Sequence, residues 1–434
     1  MGVLGPFSRH PVEFLTELAA MGEPAVRSHL GPFPQWFVFD AELGRELLQP
    51  RDDDFNRPPY MRHLTATATG ANLFSTTGDT WRQHRRVLQP EFHRTRINEL
   101  VATMSRVADA ELATWPTATT MDMQRAMSLL TMRVAGQSMF GIDLTEHEAR
   151  DDLASSFRSI VAWLTDRFYN PKSLPAFVPT SKNREMRAAR STLRSIVGRL
   201  IWERREHPAD DYDVLQILLD ARLESGRPLS DDEIIAESIG FLFAGHDTTA
   251  STLTWATYEM GRNPAIANAA RTEGTDVADL ELTGRIVKET LRLHPPAWGI
   301  ARTAKRTTQL GPYRVPWMTG MIVSTYTIHR SAQYWDAPDE FDPDRFLAGR
   351  DPRRPAHLPF SFGAGPRMCI GQAFAEIETK LVLARVLNRF ELTDVVAHEP
   401  AFYPEFSLRM RDGLPLTLQP RVPAADRDAC ESSP

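Results

Sequence analysis

A long helical segment in the middle of the chain constrains the fold more than any other feature. It extends from about Ser230 to Arg262, and its opening letters, SDDE, place Glu233 three positions after Ser230. This spacing is typical of a capping box, in which the two side chains close the start of a helix. At ~1.5 Å per residue the helix is roughly 45 Å long. Apolar residues surround much of it, so we predict that it passes through the core.

The stretch AGHDTT, Ala244 to Thr249, is unusual for a helix interior. Gly245 costs about 1 kcal/mol there, and buried Asp247 and Thr248 side chains need hydrogen-bond partners. The Thr248 hydroxyl can bond the carbonyl of Ala244 and loosen the helix, while Gly245 lets a ligand approach the backbone. Two interpretations stay open from these residues alone. One is a kink with a polar network; the other is a proton-delivery notch, in which Asp247 relays protons and Thr248 hydrogen-bonds a reactive ligand.

Helical periodicity dominates the remainder of the chain. Apolar residues recur at i, i+3 and i+4 in PVEFLTELAAMG, TRINELVATMSRVADAELATW, REMRAARSTLRSIVGRLIWERRE, DYDVLQILLDARLE and EIETKLVLARVLNRF. Strand-like alternation is confined to AVRSHLG with QWFVFD, GPYRVP with GMIVSTY, and FSLRMR with PLTLQPR. We therefore predict a mainly α fold with small β-sheets. It forms a single domain over residues 1–420, followed by a disordered tail over residues 421–434.

Composition narrows the class of protein. The net charge of −6 gives no basis for binding nucleic acid. Two cysteines cannot build a disulfide framework, and Cys430 lies in the polar tail, so a reducing setting fits. The N-terminus lacks the basic and apolar regions of a signal peptide, and no apolar run reaches the ~18 residues of a membrane span. We expect a cytoplasmic monomer that does not bind membranes.

The other cysteine, Cys369, lies in the loop FGAGPRMCIG, residues 362–371. A dinucleotide fingerprint would need glycine where Met368 stands, which excludes that interpretation. A zinc site would need further cysteines or histidines at metal spacing, and none are near. A catalytic cysteine would need a histidine base, and His357 is close only in sequence. The interpretation that remains is an axial metal ligand.

Glycines in this loop suit a ligand loop. Gly363 and Gly365 permit a tight backbone path, and Gly371 lets a flat cofactor lie close. A helix is predicted to begin just after Cys369, and its positive dipole end favours the thiolate form of the sulfur. Backbone N–H groups of such a loop can point at the sulfur and tune the metal that it holds.

The pattern F-G-x-G-x-R-x-C-x-G, Phe362 to Gly371, resembles the haem-binding signature of the cytochrome P450 family. Further motifs of that family follow the same order along the chain. AGHDTT resembles the family's oxygen-activating helix, with Asp247 and Thr248 at the acid and alcohol positions. GDTWRQHRRVLQPEF resembles its W-x-x-x-R helix. The resemblance covers residues 10 to 420 approximately.

KETLRLHPP supplies the family's E-x-x-R pair as Glu289 and Arg292. The spacing alone carries little information, because E-x-x-R occurs elsewhere in the chain and residues three apart share one helix face. The adjoining HPP and the later FDPDRF give it context. The resemblance implies a buried network of Glu289, Arg292 and Arg345 that braces the cysteine loop.

The resemblance implies haem b, iron protoporphyrin IX, with the Cys369 thiolate as its axial ligand. Further cofactor-binding positions carried over from the family are Trp81, Arg85, Ala244, Arg302, Phe362, Arg367 and Gly371. His329 is a weaker candidate, for which an ordinary core histidine is an equal alternative. The implied substrate pocket is lined by Leu73, Phe74, residues 163–177, Phe241, Thr249, Ala297, Trp298, Ile300, Glu405 and Phe406.

The resemblance thus implies a haem-thiolate monooxygenase of the soluble bacterial type, acting in secondary metabolism. It would insert one atom of dioxygen into an apolar small molecule such as a terpenoid, fatty acid or polyketide. We expect no fused reductase, so that a ferredoxin or flavodoxin with its reductase supplies electrons. A basic patch of Arg82, Arg86, Arg350, Arg353 and Arg354 could dock it, although a solvated charged face is an equal alternative. A peroxide-driven peroxygenase and a non-catalytic haem sensor are the alternative functions.

Overall fold

The computed structural model describes residues 3–49, 54–141, 147–170, 172–207, 213–350, 354–395 and 400–421. Within these ranges the chain is mainly helical, as predicted. The helices are α1 (Leu4–Arg9), α2 (Pro11–Ala19), α3 (Ala41–Leu48), α4 (Pro59–Thr69), α5 (Gly78–Leu88), α6 (Arg94–Glu99), α7 (Val101–Leu112), α8 (Met123–Phe140), α9 (His147–Tyr169), α10 (Ser181–Glu206), α11 (Val214–Asp220), α12 (Asp231–Arg262), α13 (Pro264–Arg271), α14 (Glu281–Leu293), α15 (Thr325–Ile328) and α16 (Gln372–Arg389).

Short strands form small sheets at the margins of the helical body. They are β1 (Ala25–Leu30), β2 (Phe33–Val38), β3 (Phe55–Asn56), β4 (Thr120–Asp122), β5 (Ile300–Ala304), β6 (Thr308–Leu310), β7 (Tyr313–Val315), β8 (Gly320–Val323), β9 (Phe390–Thr393), β10 (Phe402–Pro404), β11 (Leu408–Met410) and β12 (Pro415–Pro420). The largest sheet has the order β1-β2-β8-β5-β3, in which only β2 and β8 are parallel. The others are β4-β12-β9 and the hairpins β6-β7 and β10-β11.

Helix α12 is the long central helix that the sequence predicted. The Ser230 hydroxyl accepts a hydrogen bond from the Glu233 backbone N–H, and the Glu233 side chain accepts one from Ser230, which completes the capping box. Most of the helix is buried, including the fully buried Trp255 and Tyr258. It packs against α8, α14 and α16, so its buried surface joins the main hydrophobic core. It continues through AGHDTT without interruption, so the predicted polar notch does not break the helix.

The strand-like segments of the sequence belong to several different sheets. β7 pairs with β6, whereas β8 lies between β2 and β5, so GPYRVP and GMIVSTY contribute to different sheets. β11 and β12 are likewise separated, because β12 pairs with β4 and β9. These partners lie far away in sequence or are too short to show alternation, so local periodicity could not indicate them. None of the described helices is long and apolar enough to cross a lipid bilayer.

Candidate active site

A cavity of about 450 Å³ lies between the central helix α12 and the cysteine loop. Helix α12 contributes Ala244 and Thr248 to its wall, and the loop contributes Phe362 and Cys369. The two motifs that the sequence singled out, about 120 positions apart, therefore face the same cavity.

The cysteine loop owes its path to two glycines. Gly363 has φ of 76° and Gly365 has φ of 69°, the left-handed region that other residues rarely adopt. A Cβ atom added to Gly365 would lie 2.1 Å from the backbone oxygen of Leu48, so no larger residue fits there. The backbone N–H of Cys369 donates to the Phe362 carbonyl at 2.9 Å and closes the loop.

The Cys369 side chain opens to the cavity and is otherwise surrounded by protein. Burial raises the pKa of its thiol, while the Gly371 backbone N–H and the positive charge of Arg85 lower it. The sequence predicted that the helix start would favour thiolate. In the protein alone burial outweighs that effect, so the thiolate form depends on a bound cation such as a metal.

Arginines converge on one side of the same cavity. Arg85, Arg302 and Arg367 were predicted there, and all three line the wall. Arg367 stacks over the Trp81 ring at 3.7 Å, which explains why the predicted Trp81 lies beside it. Arg57 joins them: burial, Arg302 and Arg85 lower its pKa to about 9. Such mutually repelling buried cations create a strong demand for anionic groups.

The predicted E-x-x-R network is present and fully buried. Arg292 donates from Nε and Nη2 to the two Glu289 oxygens at 2.8 Å each, and Arg345 donates to Glu289 at 3.1 Å. Arg292 also donates to the carbonyl of His329 at 2.7 Å, and Nε2 of His329 accepts from the Phe360 backbone N–H at 2.8 Å. The network therefore reaches the cysteine loop through His329.

His329 does not line the cavity; it is a core histidine. Burial, reinforced by the charge of Arg292, lowers its pKa to about 3, which keeps the ring neutral and able to accept the Phe360 hydrogen bond. Of the two interpretations of this residue, the structure therefore favours the structural one.

The polar residues of α12 point in two directions. The Thr248 hydroxyl donates to the Ala244 carbonyl at 2.8 Å, as predicted, and Thr248 lines the cavity. Asp247 does not line the cavity: its Oδ1 lies 3.5 Å from Nη1 of Arg409, on strand β11. Its Oδ2 is buried with no hydrogen-bond partner among the described residues. An acid and an alcohol thus stand side by side, one toward a protein cation and one toward the cavity.

A second buried acid lies beneath the central helix. Glu378, on α16, is fully buried, and burial raises its pKa well above the usual value, opposed by the Thr249 hydroxyl. Burial therefore favours the neutral form of Glu378. Its burial could not be predicted from the sequence, because one glutamate on an amphipathic helix normally faces solvent.

The pocket residues predicted outside residues 163–177 reach the cavity, whereas most of the described residues in that range do not. Those that line it are Leu73, Phe74, Phe241, Ala244, Thr249, Ala297, Trp298, Ile300, Glu405 and Phe406. Of the described residues within 163–177, Phe168 and Tyr169 alone do so. Trp163 packs in the core and donates to Asn183 at 2.8 Å, and Phe177 is 81% exposed, so their assignment to the pocket was wrong. Helix α9 ends at Tyr169 and only its last turn reaches the pocket.

The predicted basic patch is largely compensated by acids. Arg82 pairs with Asp79, Arg86 with Glu224, and Arg350 with Asp342. Arg354 donates to the Arg345 carbonyl, and Arg353 lies outside the described residues. Paired surface cations contribute less field than isolated ones.

Comparison with known proteins decides the family. A model of cytochrome P450 matches residues 1–413. The chain belongs to the cytochrome P450 family. It is similar to a cyclooctatin synthase of Streptomyces melanosporofaciens, 33% identical over 417 residues that cover 92% of this chain and 90% of the relative. A cyclooctat-9-en-7-ol 5-monooxygenase from the same organism is 32% identical and covers 89% and 86%.

The fold agrees. The crystal structure of a cytochrome P450DA heme domain has a TM-score of 0.84 and 25% sequence identity, and the match covers 95% of this chain and 94% of that one. The chain is accordingly a cytochrome P450 monooxygenase, and its cofactor is haem b with a cysteine thiolate as axial ligand.

The residues fit that cofactor. Cys369, the one cysteine among the described residues, opens to the cavity, and Arg85, Arg302 and Arg367 in its lining can bind two anionic propionates. Sequence reasoning missed two polar residues near this site: Arg57, which follows an acidic run, and Arg409, which lies in a short strand. Neither belongs to a recognisable motif, and only the tertiary fold brings them to the site.

Proposed function

We propose that this cytochrome P450 inserts one atom of dioxygen into an apolar, terpenoid-like small molecule as a step of secondary metabolism. The observation that carries the proposal is the single cavity shared by Cys369, Thr248 and a largely aromatic and aliphatic wall. When bound, haem with a thiolate ligand supplies the activation of dioxygen, because the thiolate pushes electron density toward O–O cleavage.

Specific residues would hold the cofactor. Cys369 would provide the sulfur ligand, and Arg85, Arg302 and Arg367 would bind the propionates through charge-assisted hydrogen bonds. Phe362 and Gly371 flank the cysteine, and Ala244 leaves room on the side of α12. Glu289, Arg292 and Arg345 would keep the loop in place through His329.

The acid–alcohol pair would control protons. The Thr248 hydroxyl donates a hydrogen bond to the Ala244 carbonyl, which holds it at the cavity wall. The hydroxyl oxygen can still accept a hydrogen bond, for example from a water molecule that it orients. Asp247, held near Arg409, would pass protons toward Thr248 when its side chain turns from the guanidinium. The complete pair favours a monooxygenase over a peroxygenase, which takes its protons and electrons in the form of hydrogen peroxide.

The lining supports an apolar substrate. Phe74, Phe241, Trp298 and Phe406 present aromatic surface to the cavity, which favours ligands by hydrophobic burial. The two relatives from Streptomyces are named for cyclooctatin and cyclooctat-9-en-7-ol, which supports a cyclic hydrocarbon skeleton.

We further propose one domain over residues 1–420, a cytoplasmic location, a monomeric state and a separate ferredoxin or flavodoxin with its reductase as electron donor. The main core cluster, which includes residues from Ala68 to Leu418, supports the single domain.

The test supplies haem-loaded protein with a ferredoxin, its reductase, NADPH and isotopically labelled dioxygen, together with a library of terpenes, fatty acids and macrolides. We expect a labelled oxygen atom in a terpenoid product, at a rate that depends on the ferredoxin. Turnover with hydrogen peroxide alone, at the same rate and without label from dioxygen, would instead favour the peroxygenase. Haem binding without oxygen consumption under any condition would favour the sensor.

A further inference from the structure

One carboxylate in the cavity wall has hydrogen-bonding capacity to spare. Glu405 follows strand β10 in the turn to β11 and lines the cavity among mainly apolar residues. The neighbouring Phe406 fixes that turn, because its ring packs on Phe243 and Phe74 at centroid distances of 4.6 and 6.4 Å. Glu405 is therefore held at a defined place on the wall.

The protein satisfies Glu405 poorly. Arg409 forms an ion pair with Glu405, but its Nη1 atom lies 4.0 Å from Oε2, which is beyond hydrogen-bond distance. Arg409 also lies 3.5 Å from Asp247, so one guanidinium serves two acids. Burial raises the pKa of Glu405, opposed by Arg409. The Glu405 side chain is 27% exposed. A partly desolvated carboxylate without a donor costs free energy that a donor from a ligand would recover.

The other acid in the wall behaves differently. Glu237 accepts a hydrogen bond from the Leu73 backbone N–H at 3.2 Å and lies 2.7 Å from Nδ1 of His84. Both of its oxygens are engaged by the protein. Among the acids that the described residues contribute to the cavity, Glu405 is thus the one that can accept a new hydrogen bond.

The surroundings select the kind of donor. Arg409 lies 4.0 Å from Glu405 and partly neutralises it, so a cationic amine gains less here than it would beside an isolated carboxylate. Tyr169 also lines the cavity, and burial, with a contribution from Glu405, raises its pKa, which keeps its hydroxyl protonated. A neutral hydroxyl group suits a site made of a carboxylate, a phenol and a nearby guanidinium.

We propose that Glu405 accepts a hydrogen bond from a hydroxyl group of the substrate, so that this enzyme oxidises an apolar skeleton that already carries an alcohol. The inference rests on the proposed function and names its substrate class more narrowly. An earlier oxygenation or hydration must then supply the substrate. One relative acts, by its name, on an alcohol, cyclooctat-9-en-7-ol.

The test is calorimetric binding to the haem-loaded protein, with two matched pairs of ligands. The pairs are cyclooctat-9-en-7-ol with the same skeleton lacking the hydroxyl group, and cedrol with cedrane. We expect the wild-type protein to bind the alcohol of at least one pair about tenfold or more tighter than its hydrocarbon. Glu405→Leu should abolish that ratio while it leaves hydrocarbon binding equal or tighter.

Two further variants keep the result interpretable. Glu405→Gln retains the shape and one acceptor oxygen, so its ratio should fall between those of the wild type and Glu405→Leu. Phe406→Leu removes apolar contact from the same turn and should weaken both members of a pair equally. An alcohol-to-hydrocarbon ratio that Glu405→Leu and Glu405→Gln both leave unchanged overturns the proposal, as does a wild-type protein that binds neither alcohol better.

These outcomes are separable from failure of the proposed function. In one outcome, labelled oxygen enters a hydrocarbon substrate while the ratio of alcohol to hydrocarbon affinity is unchanged in the Glu405 variants. That result would support the proposed monooxygenase reaction and contradict the hydroxyl-binding role of Glu405. If no oxygen enters any substrate but alcohol binding depends on Glu405, the site stands and the proposed reaction falls.

Discussion

Thr248 combines two interactions in one hydroxyl group. It donates to the Ala244 carbonyl at 2.8 Å, and its oxygen faces the cavity where it can accept. Thr248→Ala should keep haem and substrate binding but divert electrons from product to hydrogen peroxide, because the proton route loses its terminal group. The measurement is peroxide released and product formed per NADPH consumed.

Thr254→Ala provides a matched control for that variant. Thr254 is a buried threonine on the same helix, donates in the same way to Ala250 at 2.7 Å, and does not line the cavity. The Thr254→Ala variant should form as much product per NADPH as the wild type. If Thr248→Ala forms as much product per NADPH as the wild type, Thr248 is not part of the proton route.

Glu378 makes stability depend on pH. Burial raises its folded-state pKa above 4.5, so between pH 4.5 and the folded value the unfolded chain releases a proton that the folded chain retains. This contribution to stability is complete below pH 4.5 and is lost as the pH rises. Between about pH 5 and pH 8, the free energy of unfolding should fall less in Glu378→Gln than in the wild type. Urea unfolding at several pH values measures this difference.

Glu185→Gln is the control, since Glu185 is exposed on α10 and reports only the general effect of removing one carboxylate. A decline with pH that is as steep in Glu378→Gln as in the wild type and in the control would show that Glu378 is not a neutral buried acid.

At the scale of elements, the cysteine loop depends on Gly365. An alanine there must adopt a left-handed backbone, at about 1–2 kcal/mol, and must also displace the Leu48 backbone, 2.1 Å from the new Cβ. We expect Gly365→Ala to lose haem during purification and to melt several degrees lower than the wild type. Haem content and thermal unfolding measure both effects.

Gly349→Ala separates the two causes. Gly349 has φ of 76° but nothing within 4 Å of an added Cβ, so this variant carries the backbone strain without the clash. Gly349→Ala should keep its haem and should lose less stability than Gly365→Ala does. Equal behaviour of the two variants would mean that the contact with Leu48 is unimportant.

Elements with strong local signals could be predicted from the sequence. The capping box fixed the start of α12, and ten consecutive residues around Cys369 identified its loop. Weaker local signals gave incomplete results: the amphipathic stretch over residues 95–115 contains parts of two helices, α6 and α7, separated at Leu100. Short strands such as β3 and β10 have too few residues to show a period.

At the scale of the whole molecule, charge around the cavity links haem binding to stability. Arg57, Arg85, Arg302 and Arg367 surround one space, and the low pKa of Arg57, about 9, reflects burial and mutual repulsion. Removing the haem should therefore lower the melting temperature and make it sensitive to anions. We expect sulfate to raise the melting temperature of the haem-free protein more than chloride does at equal ionic strength.

The haem-loaded protein is the reference in this experiment, because sulfate also strengthens hydrophobic burial in any protein. In the haem-loaded protein, the melting temperatures in sulfate and in chloride should differ less, because the propionates already neutralise the arginines. The same difference in both forms would indicate that these arginines are compensated within the protein.

Long-range contacts explain what the sequence did not indicate. Arg409 reaches Asp247 from a strand more than 150 positions later, and Arg57 lies near Arg302 although it precedes it by more than 200 positions. A family resemblance places residues of shared motifs, but side chains particular to this chain appear only once the fold is known. Glu405 was predicted by segment as a pocket residue, and only the structure gave its partners.

The most direct test of the account is the carbon monoxide difference spectrum of the freshly reduced, purified protein. Ligation of haem iron by the Cys369 sulfur predicts the long-wavelength band of a thiolate complex, absent in Cys369→Ser at equal folded content. A well-folded wild-type protein that binds haem and carbon monoxide but lacks this band, or a Cys369→Ser variant that retains it, would contradict the account.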